Sequence, residues 1–142
     1  GGTVTVFEET FANATAGNGW NGWTLGTEWQ IGTAMASTGH DSGFGDPAQD
    51  HTLTADNKLA GVVIGGNASI LSTHPMYYLT SPTIDASAAG NIMLDFWRWL
   101  NTDYYEWMSN SIEVYDGSTW VVVWQKPASI ARSCYRCRSL AN

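Results

Sequence analysis

The segment SIEVYDGSTWVVVWQ, residues 111–125, constrains the fold more than any other part of the chain. Apolar and polar residues alternate on both sides of Asp116-Gly117, a dipeptide that favours a tight turn. A helix places neighbouring residues on the same side only every three or four positions, so this pattern cannot belong to a helix. The segment therefore predicts a β-hairpin.

The segment NIMLDFWRWLN, residues 91–101, predicts a long strand just before this hairpin. Ile92, Leu94 and Phe96 are expected on one face, with Phe96 in the core. The opposite face carries Trp97 and Trp99, among other residues. Arg98 is expected to form an ion pair with a nearby carboxylate, the candidates being Asp95, Asp103 and Glu106.

Four further segments read as strands, and none has convincing helical spacing. They are TVTVFEETF from Thr3, WTLGTEWQIG from Trp23, KLAGVVIGG from Lys58 and MYYLTSPTID from Met76. A long polar loop, residues 33–58, separates the second from the third. Six or seven short strands predict an all-β fold, a two-sheet antiparallel β-sandwich of jelly-roll type.

Charge and composition restrict the class of partner. Charged residues make up only 13% of the chain and aromatic residues another 13%, a balance typical of extracellular β-proteins. All thirteen acidic residues lie between Glu8 and Asp116, where only Lys58 and Arg98 are basic, which argues against a nucleic-acid partner. No apolar run is long enough to span a membrane. The chain lacks an initiator Met and a signal peptide, so we expect a mature, secreted product.

Five motifs occur in the order found in a known family: GWTLGTEWQIG, DPAQDHT, YYLTSPTID, LDFWRWLN and SIEVYDGSTWVVVW. From Phe7 to Trp124 the chain resembles bacterial MAM-like jelly-roll domains, which are similar to the eukaryotic MAM adhesion domain. The resemblance implies a jelly-roll sandwich over residues 1–124, no catalysis, and a role in adhesion or carbohydrate recognition. Similar domains often hold a structural cation near the DHT loop.

The last part of the chain departs from that family. Residues 125–142 form a basic tail, KPASIARSCYRCRSLAN after Gln125, without the final strand that closes the sandwich. Either the tail or a strand from another copy is expected to cover the open sheet edge. A disulfide at Cys134 and Cys137 is expected, formed between the two or between chains.

The stretch GDPAQDHTLTADN, residues 45–57, allows three interpretations. Catalysis is disfavoured because Asp50 and His51 are adjacent and diverge in an extended chain, and no nucleophile motif is present. A zinc site lacks enough soft ligands. Calcium prefers several oxygen ligands, which suits this loop, although Asp and Asn can also serve simply as turn residues. The predicted structural calcium ligands are Glu9, Asp46, Asp50, Asp56 and Asn57.

The aromatic residues around the long strand suggest ligand binding. Exposed indole and phenol rings contact sugars or protein surfaces, whereas buried ones fill a core. The predicted ligand-binding residues are Trp97, Trp99, Tyr104, Tyr105 and Trp107. The sequence thus predicts a secreted, non-enzymatic module that binds carbohydrate or a cell-surface protein. The alternative is a structural subunit of an extracellular polymer, in which a neighbour completes the open sheet.

Overall fold

A computed structural model describes residues 2–40, 44–52, 54–102, 107–127 and 132–141, the last range as backbone. All strand pairs are antiparallel, which confirms the all-β class. The strands form four two-stranded sheets, so the closed sandwich stays a prediction. The eight strands are β1 Thr24–Leu25, β2 Trp29–Thr33, β3 Lys58–Val62, β4 Leu79–Thr80, β5 Ile92–Asn101, β6 Ser111–Tyr115, β7 Trp120–Gln125 and β8 Arg132–Ala141.

The chain divides into two compact units, Gly1–Ala86 and Ser87–Asn142. In the first, β1 pairs with β4 and β2 pairs with β3. Ile31, in the centre of β2, is one of the few buried apolar residues in the described part of the chain. The strands predicted around β2 and β3 are confirmed, whereas the one predicted from Met76 is reduced to the two residues of β4.

The first predicted strand is wrong. Residues 3–10 have no strand pairing, and the side chains of Val4 and Val6 are 79% and 52% exposed. Alternation supplies a strand with two faces, but a strand also needs a partner for its backbone hydrogen bonds. A 3₁₀ segment, Ala16–Gly22, follows where the sequence predicts a loop.

In the second unit the predicted hairpin is confirmed, with β6 paired to β7. The Asp116 carboxylate accepts hydrogen bonds from the backbone N–H groups of Ser118 (2.8 Å) and Thr119 (2.9 Å), which fixes the turn. Gly117 adopts a φ of 100°, a conformation that L-residues rarely adopt. A bulge between Ile112 and Glu113 shifts the register of the pair.

The long predicted strand is also confirmed, as β5. Its partner is β8, which lies in the predicted tail, so that Trp99 stands opposite Cys134 and Phe96 opposite Cys137. The tail thus pairs along the whole of β5. The sequence left open whether the tail or another copy would do this, because the tail lacks a clear alternation.

One contact fixes which face of β5 looks toward the hairpin. The Arg98 guanidinium carbon lies 3.7 Å from the centre of the Trp124 ring on β7, in a cation–π arrangement. Phe96, on the same face as Arg98, is half-buried, in line with its predicted core position. Asp103 and Glu106, two of the carboxylates predicted to pair with Arg98, lie outside the described residues.

Candidate functional site

The acidic loop, residues 45–57, is anchored where it begins. The Ser37 hydroxyl donates to the Asp46 carboxylate at 3.0 Å and accepts from the Asp46 backbone N–H at 2.9 Å. Gly45 lies so close to the Ser37 carbonyl that a Cβ atom there would collide with it. Asp46 is therefore tied to the preceding segment, and the structure does not bring it into one cluster with Glu9 or Asp56.

Asn57 fastens the other end of the loop. Its side-chain oxygen accepts from the Asp50 backbone N–H (2.8 Å), and its side-chain nitrogen donates to the Ala48 carbonyl (2.9 Å). Its own carbonyl accepts from Ala34 N–H, which extends the β2–β3 ladder by one pair. Both polar atoms of its side chain are thus engaged, so Asn57 is a clasp for the loop rather than the side-chain ligand that the sequence predicts.

Three oxygen atoms inside this loop are buried without a hydrogen bond: Asp50 Oδ2, Thr54 Oγ1 and Asp56 Oδ2. Burial raises the pKa of Asp50, and the nearby carboxylate of Asp56 raises it further, while His51 and the Thr52 backbone N–H act in the opposite direction. Two carboxylates close enough to repel each other, beside an unsatisfied hydroxyl, provide the oxygen-rich surroundings that a hard cation needs. Sequence reasoning missed Thr54, whose hydroxyl is a common turn former.

Glu9, the fifth predicted ligand, is engaged elsewhere. Its carboxylate accepts from the Phe11 backbone N–H (2.6 Å), the Trp23 indole N–H (3.2 Å) and the Asn21 amide (3.4 Å). Throughout the described ranges, no three carboxylate, imidazole or thiol side chains group closely enough to hold a metal ion. The predicted five-residue shell is therefore not assembled, and the oxygens of Asp50, Thr54 and Asp56 are what the loop offers.

Trp97 and Trp99 form the tryptophan pair, a second candidate site. They lie two residues apart on β5, on the face opposite Arg98, and are 47% and 41% exposed. Residues i and i+2 of a strand share a face and lie about 6.6–6.8 Å apart. Trp107 is the most exposed of the predicted aromatic residues, and Tyr104 and Tyr105 lie outside the described residues.

Sequence reasoning missed a second aromatic surface. Tyr115 and Trp120 face each other across the hairpin, with ring centres 5.4 Å apart, and both are more than half exposed. They lie on the face of the hairpin opposite Trp124, because Tyr115 and Ile112, the partner of Trp124, are an odd number of residues apart. The register of a hairpin around Asp116-Gly117 is the signal that predicts this pair.

A cleft of about 420 Å³ opens beside β2 in the first unit. All five residues of β2 line it, together with Trp20, Leu25, Met35 and Ile64. The sequence gave no motif for this cleft, because its wall combines a strand with residues distant from it in the chain.

The two cysteines cannot bond to each other within β8. Residues three apart on a strand have Cα atoms about 10 Å apart, beyond the roughly 7 Å that a disulfide spans. This corrects the possibility that Cys134 pairs with Cys137. Pairing between chains stays a prediction.

Comparisons with protein-family models, with curated proteins and with solved structures found no match to this chain. The MAM-like resemblance therefore stays an expectation drawn from the sequence motifs. Within the residues that the structure describes, no helix has the length and apolar character that crossing a membrane requires.

Proposed function

We propose that this chain is a secreted, non-catalytic binding module of the jelly-roll type, and that it binds carbohydrate on the tryptophan pair. One observation carries the proposal. Two large indole rings lie side by side on one face of a ten-residue strand and keep nearly half of their surface exposed. Large aromatic residues that stay exposed on a regular strand are typical of a contact surface.

The chemistry of the pair suits a sugar chain. A pyranose ring presents a face of C–H groups and a rim of hydroxyl groups. An indole offers a matching apolar face and an N–H donor at its edge. Two indoles about 6.6–6.8 Å apart along a strand can contact neighbouring sugar units, and a regular strand holds them at fixed spacing before the ligand binds.

Affinity electrophoresis tests this proposal. The chain is run in native gels that contain soluble xylan, mixed-linkage β-glucan or galactomannan. At least one polysaccharide should retard it, and W97A/W99A should lower that affinity at least about tenfold. The matched control W120A removes an equally exposed indole from the hairpin and should leave retardation unchanged. Retardation that W97A/W99A does not alter, or that W120A abolishes, places the binding surface elsewhere.

We also propose a structural calcium ion in the acidic loop, held by Asp50, Thr54 and Asp56. The three buried oxygens without a hydrogen bond support it, since a cation would neutralise the two carboxylates and satisfy all three atoms. Calcium should raise the unfolding temperature of the chain, and D50N/D56N should remove that effect. D46N, which changes a carboxylate already anchored on Ser37, is the matched control and should retain it. An equal calcium effect on wild type and D50N/D56N would contradict the site.

Self-association is the second candidate function. In the described residues each sheet has only two strands, so β2, β3 and the hairpin strands each keep an edge with no strand beside it. Such edges pair with strands of other chains unless they are covered. The sequence predicts this role from the missing closing strand, but β8 now pairs with β5, so the edges in question lie elsewhere.

A further inference from the structure

The edge of β2 away from β3 is a strand acceptor. The ladder bonds Val63 N–H to Glu28 carbonyl and Ala34 N–H to Asn57 carbonyl show that even-numbered residues of β2 face β3. The backbone groups of Trp29, Ile31 and Thr33 therefore point to the opposite side. Only the Trp29 N–H has a backbone partner there, the Gly26 carbonyl, among the described residues.

The surroundings of this edge are apolar. Ile31 is 7% exposed, so its outward N–H and C=O lie in a largely buried position where a missing hydrogen bond is unfavourable. The 420 Å³ cleft opens along the same strand, with Leu25, Met35 and Ile64 in its wall. A strand laid on this edge would supply the backbone partners and place alternate side chains against that wall.

The chain carries a segment suited to that position. Thr3–Phe7 alternates as a strand does, has no charged residue and matches β2 in length. The structure leaves it unpaired, with Val4 and Val6 exposed. A segment with a strand pattern and no partner, beside an edge with no partner, is a donor and acceptor in one chain.

The base of this segment is fixed, which decides where the donor comes from. The Glu9 carboxylate binds the Trp23 indole N–H, and the Phe7 ring lies 6.3 Å from the Trp23 ring. With these contacts formed, Thr3–Phe7 does not lie on the β2 edge of its own chain.

We propose that Thr3–Phe7 of one copy adds as a strand to the free edge of β2 in a second copy, with Val4 and Val6 against the cleft. This inference rests on the second candidate function, self-association. The contact joins two different surfaces. Reciprocal exchange gives a closed dimer, and one-way exchange gives a chain of copies.

Sedimentation velocity from about 1 to about 200 µM measures the association. Wild type should form dimers or larger species as the concentration rises. The donor variant V4D/V6D should raise the apparent dissociation constant at least about tenfold, and the acceptor variant M35D should do the same. T3D/T5D adds the same two charges on the other face of the segment and should have less than about a threefold effect. Near-ultraviolet circular dichroism confirms that each variant is folded.

Mixing the two impaired variants gives the decisive result. V4D/V6D keeps an intact acceptor and M35D keeps an intact donor, so the mixture should associate although each alone is weak. Association of wild type that V4D/V6D leaves unchanged, or a mixture that stays monomeric, overturns the donor-strand contact while self-association stands. A wild type that is monomeric at every concentration overturns both; amide protection in β2 that V4D/V6D removes would then assign the edge to the chain's own segment.

Discussion

Replacing Asn57 tests whether the acidic loop is held by a clasp. In N57A the loop loses the hydrogen bonds to the Asp50 N–H and the Ala48 carbonyl, each worth about 0.5–1.5 kcal/mol. Alanine must also adopt the φ of 52° that Asn57 has, which costs about 1–2 kcal/mol. We therefore expect N57A to lower the free energy of unfolding by about 2–4 kcal/mol.

Two companion variants separate these contributions. N57G loses the same hydrogen bonds without the backbone strain, so it should be about 1 kcal/mol more stable than N57A. N57D keeps the acceptor for the Asp50 N–H and loses the donor to Ala48. Urea unfolding followed by tryptophan fluorescence, with amide exchange at Ala34 as a local probe, measures all three. If N57A unfolds within about 0.5 kcal/mol of wild type, or is at least as stable as N57G, Asn57 does not act as the clasp.

Three further predictions concern the loop, the long strand and the hairpin. The Asp50 carboxyl takes up a proton more readily in the folded chain because its pKa is raised; without calcium, D50N should therefore be more stable than wild type at neutral pH, and the difference in free energy of unfolding should shrink as pH falls through that raised pKa. With saturating calcium the order at neutral pH should reverse, and an order unaffected by calcium contradicts the site. A double-mutant cycle of R98M and W124L should give a coupling of about 0.5–1 kcal/mol from the cation–π contact, and zero coupling refutes it. G117A should cost about 1 kcal/mol or more, because Gly117 has a φ of 100°, whereas S118A at the exposed neighbouring position should cost less; equal effects would contradict the role of the turn.

The hairpin and β5 were predictable because their information is local. Asp116-Gly117 sets the turn, and the residues on either side alternate with the period of a strand, so no distant partner is needed to recognise them. The two faces of β5 follow from the same alternation, and they place Trp97 and Trp99 opposite Arg98 as the structure does.

The remaining features depend on contacts between distant residues. Thr3–Phe11 alternates like a strand but has no partner, whereas Arg132–Ala141 has a weak pattern and becomes a strand by pairing with β5. The composition of the acidic loop predicts cation ligands, but it cannot tell which oxygens the loop consumes in closing itself. Asn57 and Asp46 are used in that way, and Thr54 is not.

The central claim is that the tryptophan pair is the binding surface. Its most direct test is a nuclear magnetic resonance titration of the indole N–H signals with xylohexaose, cellohexaose and mannohexaose. The account predicts that at least one sugar shifts the Trp97 and Trp99 signals progressively and leaves Trp120 unchanged. Signals of the pair that stay fixed with all three sugars, or shifts confined to other indoles, would contradict it.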